Sequence, residues 1–135
     1  NLLDILKLWQ SKSGSSVVMV VHDVRDALEW ADRIDVMQDG GIVESGTPES
    51  LYKKPKTISM AHAFGRVNCI QIEELDEKLL RHPNSFIIDN HWFLRPENLD
   101  EKNLPKGTEF FESEFNGSVH TKIWRSQDGL FWYTR

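Results

Sequence analysis

The sequence predicts an α/β portion followed by a small β-rich, barrel-like domain. The uninterrupted apolar run Val17–Val21 lies between two stretches of helical periodicity, as expected of a strand buried on both faces. Asp39-Gly40-Gly41 separates two further strand patterns. Ten of the fourteen aromatic side chains lie between Phe86 and Tyr133, where short strand patterns recur. We therefore predict two domains, residues 1–66 and 67–135.

The composition excludes several classes of protein. The chain has 16 basic and 21 acidic side chains, and this net charge of −5 does not support binding to nucleic acid. The single cysteine, Cys69, excludes a disulfide within the chain and fits a reducing cytoplasm. The longest apolar run has five residues, so we expect no membrane span, and the N-terminal residues do not resemble a signal peptide.

The α/β portion begins with an amphipathic helix, since Leu2, Ile5 and Trp9 recur at helical spacing. The strand Val17–Val21 follows and ends in His22-Asp23. Asp23 is a suitable N-cap for the next helix. The apolar stripe of that helix consists of Val24, Ala27, Leu28, Ala31 and Ile34.

A hairpin and two short helices complete the predicted first domain. The hairpin joins strands at residues 34–38 and 42–45. Thr47 and Thr57 are predicted N-caps, with Pro48 at the first helical position after Thr47. We predict that the second short helix covers residues 58–64 and ends at Gly65.

The predicted second domain consists of short strands separated by turns. Residues 86–94 have a strand–turn–strand pattern, and further strands are predicted at 109–115, 118–125 and 130–134. Asn116-Gly117 and Asp128-Gly129 are hairpin turn sequences. Asn116-Gly117-Ser118 also matches a glycosylation sequon, but a tight turn is the favoured interpretation.

Two groups of fixed spacings resemble a known family. The first is His22-Asp23-x-x-x-Asp26-Ala27, and the second runs from Met37-x-x-Gly40 to Gly46-Thr47-Pro48-x-x-Leu51-Tyr52-x-x-Pro55. Together they resemble the last third of the nucleotide-binding domain of ABC transporters, in the binding-protein-dependent importer branch. The segment Arg95-Pro96-Glu97 resembles part of the TOBE-like regulatory domain that follows the ATPase core in that branch.

The resemblance implies specific roles. Residues 1–66 would be the C-terminal portion of a P-loop NTPase-like core, and His22 would be the switch histidine that contacts the γ-phosphate. ATP and Mg²⁺ would be ligands of the longer parent protein. The 135 residues contain no G-x-x-x-x-G-K-[ST] loop, no Walker B strand and no signature motif. We therefore expect this chain to be a C-terminal fragment that binds no cofactor and hydrolyses no ATP alone.

The resemblance also implies partners and a location. The parent would be a homodimer at the cytoplasmic face of the membrane, beneath permease subunits and served indirectly by a solute-binding protein. Sugars, polyamines, ferric iron, sulfate and molybdate are all solutes of relatives. The alternative is a non-catalytic regulatory or dimerisation module that binds a small solute or a partner subunit.

Four side chains of the second domain are candidate regulatory or interface residues: Arg95, Glu97, Trp124 and Trp132. The aromatic cluster predicts either a barrel core or, in part, a ligand pocket or dimer contact. The histidines have no paired spacing, so no metal site is predicted. An unpaired strand Val17–Val21 would recruit a second copy, with residues 1–45 contributing to a dimer. We also expect residues 1–46 to be the less stable half.

Overall fold

The computed structural model describes residues 2–115 and 119–135. By its contacts the chain divides into two compact units, residues 1–49 and 50–135. The elements are five α-helices and eight strands among the described residues, and all strand pairs are antiparallel. The mixed helix and sheet content predicted from the sequence is confirmed. The domain boundary predicted at residues 66 and 67 stays a prediction.

The first unit contains two helices and one hairpin. The helices are α1 (Leu2–Ser13) and α2 (Val24–Trp30), and the strands are β1 (Ile34–Gln38) and β2 (Gly41–Gly46). Gln38 pairs with Gly41, and both intervening residues have positive φ, 50° at Asp39 and 79° at Gly40. This is the type I′ geometry that matches the strand twist, which confirms the predicted hairpin.

The predicted strand Val17–Val21 is wrong. These residues form no strand, and Val18 and Val20 are 95% and 89% exposed. A strand needs a neighbour to satisfy its backbone N–H and C=O groups. The described residues supply none, because β1 and β2 pair only with each other. Apolar β-branched composition therefore does not produce a strand here.

The second unit begins with two short helices. They are α3 (Pro48–Lys53) and α4 (Ile58–Ala63), the first of which starts just before the unit boundary. The Thr57 hydroxyl accepts a hydrogen bond from the Met60 backbone N–H at 3.2 Å, which confirms the predicted N-cap of α4. A short helix α5 (Glu77–Leu80) follows later in the chain, with Asp76 as its N-cap.

Two three-stranded sheets make up the rest of this unit. The first has the order β3-β5-β4 and consists of β3 (Asn68–Gln71), β4 (Phe86–Ile88) and β5 (His91–Leu94). The second has the order β6-β7-β8 and consists of β6 (Glu109–Phe115), β7 (His120–Arg125) and β8 (Phe131–Thr134). Within the described residues neither sheet closes on itself, so the predicted barrel is not formed. Asn116-Gly117-Ser118, the predicted turn and sequon, lies outside the described residues.

Strand β5 lies at the centre of the core because both of its faces are covered. One face contributes Trp92 and Leu94 to a cluster that includes Trp132 of β8. The opposite face contributes Phe93, which packs with Ala61 of α4 and with Val67. The alternation of the strand therefore buries β5 between the second sheet and α4.

Candidate functional site

His22, the predicted switch histidine, is exposed and lies in a bend just before α2. The next residue, Asp23, is the N-cap of α2, because its carboxylate accepts a hydrogen bond from the Arg25 backbone N–H at 2.9 Å. Hydrogen bonds from the side chain and backbone of Arg25 lower the pKa of Asp23. The start of α2 therefore fixes the backbone beside His22, and the imidazole faces solvent.

Arg95 is the most connected polar residue of the second unit among those described. Its side chain is 2% exposed, although it carries a guanidinium group. Nε and Nη2 donate to the Tyr52 carbonyl at 3.1 and 2.9 Å. Nη1 lies 3.0–3.1 Å from the carbonyl oxygens of Ala61, Gly65 and Arg66. All three nitrogens therefore have acceptors, which a buried cation requires.

These carbonyls belong to the ends of two helices. Tyr52 lies in the last turn of α3, Ala61 lies in the last turn of α4, and Gly65 and Arg66 directly follow α4. The last four carbonyls of a helix have no partner within it, and the negative end of its dipole favours a cation. The Arg95 guanidinium supplies both the hydrogen-bond donors and the positive charge at the C-terminal ends of α3 and α4.

Tyr52 and Glu97 surround this guanidinium. The Arg95 Cζ atom lies 4.2 Å from the centroid of the Tyr52 ring, and the Tyr52 hydroxyl donates to Glu97 Oε1 at 2.9 Å. Burial, followed by the charge of Glu97, raises the pKa of Tyr52 to about 12. Burial lowers the pKa of Arg95, and the neighbouring Tyr52 and Glu97 oppose that shift. Two of the predicted regulatory residues, Arg95 and Glu97, thus lie together around Tyr52.

The other two predicted residues, Trp124 and Trp132, face each other across β7 and β8. Trp132 is buried, and its ring centroid lies 6.4 Å from that of Trp92. Trp124 is half-buried, and its indole N–H donates to the Thr134 hydroxyl at 3.0 Å. Trp132 is thus a core residue, which agrees with the core interpretation of the aromatic cluster at this position.

Part of that cluster is exposed instead. Phe110, Phe111 and Phe115 of the edge strand β6 are each more than half exposed. Phe111 makes an edge contact with Phe131, and Phe115 stacks on His120. Apolar side chains on an unpaired sheet edge are typical of an interaction surface.

Asn68 is a second buried hydrogen-bonding centre, which the sequence reasoning missed. Its amide nitrogen donates to the Leu94 and Tyr133 carbonyls at 3.0 and 2.9 Å, and its Oδ1 accepts from the Tyr133 N–H at 2.7 Å. It therefore links the two three-stranded sheets. The sequence does indicate it, because Asn68 is a single amide side chain within the apolar run from Val67 to Ile70, and a buried amide needs hydrogen-bond partners.

No group of three or more His, Cys, Asp or Glu side chains in the described residues could hold a metal ion. An open depression of about 450 Å³ is lined by residues 97–102 together with Arg135. Its lining mixes carboxylates with Lys102 and Arg135, so the charges do not favour one sign of ligand.

Comparison with known proteins gives the decisive observation. "Spermidine/putrescine import ATP-binding protein PotA" of Escherichia coli strain K12 and of Shigella flexneri is 43% identical over 79 residues. The match covers 56% of this chain and 21% of each relative. The chain resembles the ATP-binding subunit of an ABC importer. The family resemblance recognised from the sequence is therefore confirmed, whereas the TOBE-like assignment stays a prediction.

The remaining comparisons give one further relative and no family model. The protein of the same name from Shigella boydii serotype 4 is 42% identical over 79 residues. No protein-family model matches the chain. The chain spans about a fifth of the length of the curated relatives it matches. None of the described helices is long and apolar enough to cross a membrane.

Proposed function

We propose that this chain acts as the C-terminal part of the ATP-hydrolysing subunit of an ABC importer. The 43% identity with spermidine/putrescine import ATP-binding proteins carries this proposal. The fixed spacings around His22 and Gly46 agree with it. Residues 1–66 contribute the end of a P-loop NTPase-like core, and residues 67–135 form a TOBE-like regulatory domain.

His22 is the residue of this chain that acts in hydrolysis. A neutral imidazole can donate to a phosphate oxygen while its second nitrogen accepts from water, and phosphoryl transfer depends on such positioning. The exposed position of His22 leaves the imidazole accessible to a ligand. The chain itself has no phosphate-cradling loop, so tight binding of ATP and Mg²⁺ belongs to the longer protein.

A chimera tests the proposal. The N-terminal ATP-binding part of the Escherichia coli relative is joined to this chain, and phosphate release from ATP is measured. We expect hydrolysis by the chimera and none above background by the isolated chain. His22→Ala should lower the rate of the chimera about 10²–10⁴-fold, because a positioned hydrogen-bonding group is lost.

His62→Ala is the matched control, since His62 is also an exposed histidine but lies in α4. It should leave the rate unchanged. Equal rates for His22→Ala and the unsubstituted, folded chimera would contradict the assigned role. Hydrolysis by the isolated chain would contradict its proposed status as a part of the subunit.

The proposal includes partners for the whole protein. The subunit works as a homodimer beneath two permease subunits at the cytoplasmic face of the membrane, with a solute-binding protein delivering the solute. The relatives are named for spermidine and putrescine import, so polyamines are the first solutes to test. Uptake of labelled spermidine by cells that carry the chimera, in competition with unlabelled sugars or sulfate, checks the solute class.

The second candidate is a regulatory or dimerisation module without catalysis. The exposed Phe110, Phe111 and Phe115 on the edge strand β6 favour it. Sedimentation equilibrium at micromolar concentration should give a dimer, and Phe111→Ser should shift it towards monomer. A dimer combined with an inactive, folded chimera would favour this module over the ATPase subunit.

A further inference from the structure

We infer that Arg95 is a positioning residue that makes α3 and α4 part of one cooperative unit with the β-rich sheets. This inference goes beyond the proposed function and does not depend on it. It assigns residues 50–66 to the same folding unit as residues 67–135, whereas the family resemblance groups them with the ATPase core. Its basis is the position of one buried guanidinium between two short helices and strand β5.

Helices α3 and α4 need support from outside themselves. Each has six residues, and helices of this length are marginal on their own. Their C-terminal carbonyls require donors from outside the helices. Arg95 is the buried cation that reaches both helix ends.

Arg95 is itself held in place by the first sheet. It directly follows β5, where Trp92, Phe93 and Leu94 are fully buried. The short 3₁₀ turn Pro96–Asn98 continues from it. The Arg95 side chain therefore extends to the two helices from the end of a strand in which three of four residues are fully buried.

Apolar packing joins the same elements that the hydrogen bonds of Arg95 connect. Ala61 of α4 packs with Phe93 of β5, with Ile58 at the edge of the same cluster. The Tyr52 ring covers the guanidinium, and the Tyr52 hydroxyl donates to Glu97. Opening of α3 or α4 would thus expose the guanidinium, and loss of the guanidinium would release both helices.

Hydrogen exchange of the full chain tests the inference. The reporters are the backbone amides of Lys54, Ala61 and Phe64, which donate to Ser50, Thr57 and Met60. The reference is the Ser126 amide, which donates to Leu130 and closes the turn between β7 and β8 of the second sheet. Arg95→Lys retains a positive charge but replaces the planar fork of donors by a single ammonium group. We expect the three reporters to exchange at least tenfold faster, with a smaller change at Ser126.

Arg81→Lys is the matched control, because the exposed Arg81 side chain forms an ion pair with Glu77 one turn away, at the surface of α5. It should leave all four amides unchanged. Arg95→Met should accelerate the helix reporters further than Arg95→Lys does. If Arg95→Met prevents folding, Arg95→Lys alone decides. Equal acceleration of the helix reporters and Ser126 in Arg95→Lys, or no acceleration, would overturn the inference.

Discussion

Buried polar side chains organise the second unit at the scale of single residues. Arg95 and Asn68 are both almost completely buried, and both bond mainly to backbone groups of other elements. Removing one partner from a buried hydrogen bond leaves the other unsatisfied, which costs more than the bond itself contributes. These two residues are therefore the most sensitive polar positions described in the unit.

Replacement of Asn68 should be strongly destabilising. Asn68→Leu leaves the Tyr133 N–H and the Leu94 and Tyr133 carbonyls without their amide partner. We expect the free energy of unfolding to fall by at least about 2 kcal/mol, because unsatisfied buried groups cost about 1–3 kcal/mol each. Urea denaturation measures the change. Asn84→Leu, at an exposed amide, should stay within about 0.5 kcal/mol of the unsubstituted chain.

Tyr52 gives the second unit a dependence on alkaline pH. In the unfolded chain the phenol has its ordinary pKa of 10.0, whereas burial and Glu97 raise the pKa in the folded chain to about 12. The unfolded chain loses its proton first, so the stabilisation is complete below pH 10 and is lost as the pH rises towards 12.

Unfolding midpoints in urea between pH 9 and about 12, set around the two pKa values of Tyr52, measure this loss. The midpoint should decrease across the interval. Tyr52→Phe should remove most of the decrease, and Tyr133→Phe, the matched change at the other tyrosine of the unit, should retain it. A decrease that persists unchanged in Tyr52→Phe would contradict the assignment.

At the scale of elements, local chemistry predicted turns and caps well. The type I′ turn, the N-caps Asp23 and Thr57, and the strands at residues 34–38 and 109–115 all form as their residues indicate. Their hydrogen bonds are satisfied by neighbours in sequence. The strand predicted at Val17–Val21 does not form, because a strand needs a partner strand that can lie far away in the sequence, and local composition does not supply one.

The hairpin turn allows a clean test of backbone conformation. Gly40 has φ 79°, and a Cβ added there would meet nothing within 4 Å. Gly40→Ala should therefore destabilise β1–β2 by about 1–2 kcal/mol through left-handed strain alone. Faster amide exchange across the hairpin measures this loss.

Gly41→Ala is the control for the hairpin. Gly41 has no positive φ, and its added Cβ would lie 3.8 Å from the Gln38 carbonyl, an ordinary contact. Exchange across the hairpin should stay within about threefold of the unsubstituted chain, since surface substitutions usually change stability by less than 0.5 kcal/mol. An equal effect of both substitutions would mean that added bulk, rather than φ, governs this turn.

At the scale of the whole molecule, the two units differ in how much they bury. Among the described residues of unit 1–49, only Ala27 and Glu44 are buried. Unit 50–135 holds both apolar clusters around β5. Since buried apolar area provides most of the stabilisation, the first unit should be the weaker.

Hydrogen exchange of the intact chain checks this difference. Amides of α1, α2 and the β1–β2 hairpin should exchange at least tenfold faster than those of β3, β5 and β7. The sequence predicted the same ranking, with residues 1–46 as the less stable half, but it also predicted a buried strand at residues 17–21, where exposed coil is observed. Similar protection in both units would contradict the expected order.

The candidate site was predictable only in part, for a physical reason. His22 could be selected because the role proposed for it rests on a local motif that resembles a known family. Arg95 was selected through its resemblance to a regulatory segment, but its burial between two helix ends depends on residues about 30–43 positions away. Such placement is decided by tertiary packing, which a linear pattern does not encode.

The bonds of Arg95 have one consequence for sequence comparison. Every hydrogen bond of its guanidinium ends on a backbone carbonyl, and every residue type carries that group. A change at position 61 or 66 therefore removes no acceptor and calls for no compensating change at position 95. Pairs of positions that vary together reveal contacts between side chains. The bonds of Arg95 to positions 61, 65 and 66 should leave no such correlated signal, so a map built from covariation would omit them. The stacking of the guanidinium on the Tyr52 ring is a side-chain contact and is the part that such a map can record.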